Sequence, residues 1–111
     1  MAATFYNPLV ISIGPVVQGT AQTFTAMRPI AVVDALASVT TAAAVATTMQ
    51  VSSTAGNVTN NIVLGTNVPN NVGRATTILS TNGKIAVGGT LTFTQGGAGT
   101  ASRVSVIAVA N

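Results

Sequence analysis

Gly88-Gly-Thr-Leu-Thr-Phe-Thr-Gln-Gly-Gly-Ala-Gly-Thr-Ala-Ser-Arg-Val-Ser-Val-Ile-Ala-Val-Ala110 is the stretch on which the fold turns. Thr90, Thr92 and Thr94 alternate with Leu91 and Phe93, the period of two that places polar and apolar side chains on opposite faces of a strand. Gly96, Gly97 and Gly99 can take up positive φ in a loop. A second alternating run follows, with Val104, Val106 and Ala108 on one face and Arg103 and Ser105 on the other. The two runs read as an antiparallel hairpin with a four- or five-residue connection. Upstream, Ile78–Thr81 and Lys84–Val87 flank Asn82-Gly83, a strong local hairpin signal. The C-terminal third is therefore expected to be a meander of about four strands.

Working back towards the N-terminus, Leu9, Ile11 and Ile13 alternate with Val10 and Ser12 in a strand expected to end at Gly14-Pro15. Residues 16–27 continue as extended chain. Residues 30–53 can be read two ways. Val32, Leu36, Val39 and Ala43 make a helical stripe, but Thr40, Thr41, Thr47 and Thr48 with Val33, Val39 and Val45 favour strands. The chain also has hardly any charge for a helix's polar face. Two strands, roughly 30–38 and 43–53, are expected, with Val45, Met49 and Val51 sharing a face in the second. A turn at Gly56-Asn57 leads to Val58–Leu64, where Val58, Ile62 and Leu64 point one way. Asn- and Gly-rich residues 65–73 form a loop, and Arg74–Ser80 resumes as a strand. Short strands with turn signals every 8 to 12 residues are the pattern of a sandwich or barrel. The expected fold is all-β: a single antiparallel β-sandwich over residues 9–111, with a jelly-roll as one form it can take. Residues 1–8 read as an extended N-terminal arm carrying Phe5 and Tyr6.

Composition narrows function. Charged residues make up 5% of the 111 residues, against roughly 25% in ordinary soluble domains. Asp34 is the single acid; Arg28, Arg74, Lys84 and Arg103 are the bases. A surface so poor in charge points to packing against copies of the chain or a partner. Four scattered bases give no footprint for specific nucleic-acid binding. There is no His and no Cys, so no catalytic triad, thiolate chemistry or acid–base pair can be assembled, and no cofactor or metal site is expected. Gly83-Lys84 lacks the spacing and the Ser or Thr of a P-loop. No secretion signal and no membrane-spanning run are read. Asn57-Val58-Thr59 matches a glycosylation sequon, a chance match in an Asn- and Thr-rich chain.

Read as a strand, residues 30–36 bring Asp34 among hydrophobes. It is expected either to reach solvent through a bulge or to be buried against a base, with Arg74 or Arg103 before Arg28, because an unpaired buried carboxylate costs several kcal/mol. A buried Asp34–Arg74 pair is the expectation carried forward. The Thr90–Thr92–Thr94 ladder on its single strand reads as a solvated face; ice binding would need a flat array over several strands.

Arg74-Ala-Thr-Thr-Ile78, Lys84-Ile-Ala-Val-Gly-Gly-Thr-Leu-Thr92, Ala101-Ser-Arg-Val104 and the Val/Ala-rich end resemble small structural proteins of tailed bacteriophages, among them capsid decoration (cement) proteins. The resemblance implies a β-sandwich, often a jelly-roll, that binds the capsid exterior as an oligomer. On that reading the partner is the major capsid protein and the location the virion's capsid surface. A homo-oligomer is expected, a trimer first and a dimer second, with Phe5, Tyr6, Arg28, Arg74 and Arg103 as candidate contacts. The rival readings are a fibre or other self-assembling virion subunit, a small carbohydrate-binding module, and a small coat protein.

Overall fold

The computed structural model describes residues 8–66 and 70–111, and among them there are ten strands and no helix. In chain order these are β1 (Leu9–Val17), β2 (Gln22–Thr25), β3 (Ile30–Thr41), β4 (Thr47–Ser53) and β5 (Gly56–Asn57). β6 (Ile62–Gly65), β7 (Val72–Arg74), β8 (Lys84–Ile85), β9 (Thr90–Gly96) and β10 (Ala101–Ala110) follow. All pairings are antiparallel. One sheet runs β1-β10-β3-β7, with β8 also on β3; the other runs β2-β9-β4-β5, with β6 also on β4. Residues 30–41 and 47–53 are strands, as the β-branched residues favour, the second starting at Thr47 and not at 43, and no helical stripe forms.

Alternation decides which side chains meet between the sheets. Ile11, Val16, Val32, Ala35, Ala37, Val39, Val104, Val106 and Ala108 point inward from one sheet, and Met49, Val51, Ile62, Leu64, Leu91 and Phe93 from the other, all buried. Fully burying a Val, Leu, Ile, Met or Phe side chain contributes about 1.5–3 kcal/mol, so this layer is the main stabilising term.

Two strands change phase along their length. In β3, Val32 faces Ala108 and Asp34 faces Ile107, so Val33 is an extra residue. Before it Ile30 and Val32 point inward; after it Ala35, Ala37 and Val39 do, and Asp34 turns outward. In β1 the register slips between Ile13 and Val16, where a cis Gly14-Pro15 bond lies. Gly14-Pro15 thus bulges β1 and does not end it. A Cβ on Gly14, which has φ 150°, would sit 2.9 Å from the Cα of Arg103, so glycine is what lets β1 cross β10 this closely.

Several expectations are overturned. β9 and β10 are not a hairpin, for they lie in different sheets and Gly97–Thr100 carries the chain across the core's edge. Asn82-Gly83 makes no hairpin either. Gly83 is not among the glycines at positive φ, Asn82 instead ties its loop to β5 through Asn57 and to the end of β4 through Ser53, and Lys84–Ile85 pair with β3. The C-terminal meander is therefore absent. Arg74 ends a strand instead of starting one, and Val45 lies outside β4, where Thr47, Met49 and Val51 share the inward face.

Candidate interaction face

The outward face of the β1-β10-β3-β7 sheet gathers most of the chain's chemistry. Strand register sets its rows: Val10, Ile107 and Asp34 in one; Ser12, Ser105, Leu36 and Arg74 in the next; Arg103, Ser38 and Val72 in a third. Ser12 and Ser105 share a hydroxyl hydrogen bond of 3.3 Å. Val10, Val33 and Val72 are exposed, at 60%, 50% and 63%. Between Arg103 and Val72 lies a shallow groove of about 210 Å³, floored by Leu36, Ala37, Ser38 and Ser105. The face is an apolar ground with two guanidinium groups standing on it.

Asp34 and Arg74 form a forked pair. Nε donates to Oδ1 at 3.1 Å and Nη2 to Oδ2 at 2.5 Å, and the Ala35 N–H donates to Oδ1 at 2.9 Å. The Arg74 hydrogen bond holds the Asp34 carboxyl below its ordinary value of 3.8, against the opposing effect of partial burial, with help from the Ala35 N–H and the Arg74 charge. The same hydrogen bond raises Arg74. The expected partners do meet, but not as a buried pair: the Asp34 side chain is 16% exposed and that of Arg74 70%. The phase change at Val33 is the reason, since it turns the acid out of the core.

Because Asp34 is the chain's one acidic side chain, Arg28, Lys84 and Arg103 have no carboxylate side chain of their own to meet, and all three are exposed. Arg103 shares the face with Arg74. Arg28 does not; it lies on the β2–β3 connection, beside an apolar pocket of about 260 Å³ between the sheets. Phe5 and Tyr6 lie outside the described residues.

Two features escaped the sequence reading. One is the buried polar cluster at the β9–β10 crossing, where Gln95 Nε2 donates to Thr100 Oγ1 at 2.8 Å and Ser102 Oγ donates to Gln95 Oε1. Gln95 lies in line with Leu91 and Phe93, and Ser102 in line with Val104 and Val106; polar residues at inward positions beside a glycine-rich loop were the available signal. The other is the extent of the threonine face. Thr25 pairs with Thr90, and Thr23 with Thr92, which pairs onward with Ser52. The hydroxyl array thus spans three strands, not one.

No family model, curated protein or solved structure matches the chain.

Proposed function

We propose that this protein is a non-enzymatic virion structural protein that binds the outside of an assembled phage capsid, on its major capsid protein, and stabilises the lattice as a homo-oligomer. The observation that carries the reading is the outward face of the β1-β10-β3-β7 sheet. It sets exposed Val72 in the same row as Arg103 and exposed Val10 and Val33 further along the same face, in a chain with no acidic side chain left to neutralise that guanidinium. Such a face complements an apolar surface bearing carboxylates, and Arg is the side chain suited to gripping them in a fork. Binding the assembled lattice in preference to the free subunit stabilises the lattice by mass action.

A jelly-roll is the finer fold reading. What supports it is the strand order: β1 beside the last strand, β10, in one sheet and β2 beside the penultimate strand, β9, in the other. Jelly-rolls recur in viral capsid proteins, lectins and cupins. A cupin needs metal-ligating side chains, and this chain has no His and a single acid; a lectin site ordinarily presents exposed aromatics, and the chain has no Trp. The structural role fits the remaining composition best. A fibre subunit is the second reading, favoured by the position of β1 as the terminal strand of its sheet among the described residues, and would give open filaments.

The test is co-sedimentation with capsids stripped of accessory proteins, alongside Arg103→Glu. The wild type is expected to pellet with the shells and raise their heat resistance, and the variant to bind about tenfold or more weakly. A wild type that stays in the supernatant would refute the capsid role.

A further inference from the structure

The β2–β3 connection, Ala26–Pro29, carries the chain from one sheet to the other, and both of its ends are pinned. Ala26 donates its N–H to the Gly89 carbonyl at 2.9 Å and accepts the Gly88 N–H at 2.8 Å, which ties the start to the β8–β9 connection. At the far end the Pro29 carbonyl accepts the Asn111 N–H at 3.2 Å, and the proline ring biases Arg28 towards extended backbone. Beside this connection lies the 260 Å³ pocket, lined by Leu9 of β1, Phe24 of β2, Ala26, Met27, Arg28 and Ile30 of β3. Ala26 and Ile30 are buried in the core, and Leu9 and Phe24 pack against it. The rim is different: Met27 is 87% exposed, and Arg28 is exposed next to it. The pocket is thus an apolar hollow with one cation at its mouth.

That cation has no acidic side chain of the same chain to meet. Asp34, the single acid, is forked onto Arg74 on the outward face of the β1-β10-β3-β7 sheet. An occupant of the pocket therefore needs an apolar body for the floor and walls and an anionic group for the rim. A carboxylate matches the guanidinium best, because its two oxygens accept two parallel N–H donors. The lining also selects the body. Phe24 offers a ring to stack on, Met27 a thioether and Arg28 a guanidinium plane, each of which attracts an aromatic ring beyond its apolar area. A cavity of about 150 Å³ admits benzene, so 260 Å³ holds one ring with a short acidic arm.

We propose that this pocket binds a small aromatic carboxylate, its ring against Phe24 and Met27 and its carboxylate on Arg28. The site lies away from the face assigned to the capsid and rests on no part of that role.

Methionine methyl groups make the test direct. The chain has three methionines, Met1, Met27 and Met49, and Met49 is fully buried in the core as an internal control. Full-length protein with isotope-labelled methionine methyls is titrated with phenylacetate at low salt and followed by NMR, the Met27 signal being the one that Met27→Leu removes. That signal is expected to move saturably, with half-saturation at about 1 mM or below, while the Met49 signal stays in place. Phenylacetamide, the same shape without the charge, is expected to bind roughly two- to fivefold more weakly. Arg28→Gln, a change on an exposed connection, is expected to abolish that difference. Cyclohexylacetate, the acid without the aromatic ring, is expected to bind about threefold or more weakly than phenylacetate, and Phe24→Leu to narrow that gap. No saturable movement of Met27 at about 10 mM phenylacetate, equal affinity for the amide or for the cyclohexyl acid, or an undiminished preference for the acid in Arg28→Gln would each overturn the proposal. So would a Met49 signal that moves in step with Met27, since the ligand would then be loosening the sandwich and not filling the pocket.

Discussion

Replacing Gln95 with leucine tests how the chain is held at its crossing between the sheets. Gln95 is 3% exposed, Thr100 1% and Ser102 fully buried. Thr100 keeps the carbonyls of Gly96 and Gly97 as acceptors when the amide is lost, but the Ser102 hydroxyl loses its partner. A buried polar group left without one costs about 1–3 kcal/mol, a large fraction of the roughly 5–15 kcal/mol that holds a domain together. Leucine keeps most of the volume, so little cavity cost adds to this. At a urea slope of roughly 1–2 kcal/mol/M, a loss of about 2 kcal/mol lowers the unfolding midpoint by roughly 1–2 M, followed by far-UV circular dichroism. The decisive measurement is the double variant Gln95→Leu/Ser102→Ala. Removing both partners leaves no orphan, so it is expected to recover about 1 kcal/mol or more of the single variant's loss. A double variant as unstable as Gln95→Leu alone, or more so, would show that the cluster does not act through satisfied hydrogen bonds.

The Asp34–Arg74 pair makes stability depend on acid in one direction. The folded carboxyl titrates below its ordinary 3.8, so the unfolded chain takes up the proton first. The contribution is therefore present above that value and lost as pH falls through the lower folded one. Urea melts of wild type and Asp34→Asn are expected to differ at pH 5–7 and converge at the acid end; a constant gap down to pH 2 would contradict this. Gly14→Ala would drive a Cβ to 2.9 Å from the Arg103 backbone at a strained φ, costing about 1–3 kcal/mol. An unchanged melting midpoint would mean that β1 can shift away from β10 without loss.

Alternation made the strands legible, because a buried face must repeat every second residue. Leu91 with Phe93 and Val104 with Val106 fall inward as the pattern requires. What alternation cannot convey is which sheet a strand joins. Gly96–Gly99 serves a hairpin and a crossing equally well, and only the inward Gln95 and Ser102 distinguish them. Local turn chemistry at Asn82-Gly83 was likewise overruled by contacts with Asn57 and Ser53, distant in sequence. The Asp34–Arg74 pair could be anticipated from scarcity, as one acid must choose among few bases. Its exposure through a bulge was one of the two outcomes expected, but a one-residue bulge leaves no compositional trace by which to choose between them.

That bulge has a consequence for how the gene can vary. β3 is two half-strands of opposite phase joined at Val33, an extra residue that no residue of β10 faces. Deleting the Val33 codon would leave Val32 opposite Ala108 and Asp34 opposite Ile107 as consecutive pairs, so Ile30, Val32, Ala35, Ala37 and Val39 would still face inward and Asp34 outward. Most point changes on the outer face leave that phasing untouched. The bulge at Val33 should therefore be the place in β3 where relatives can lose a residue without exchanging the strand's two faces.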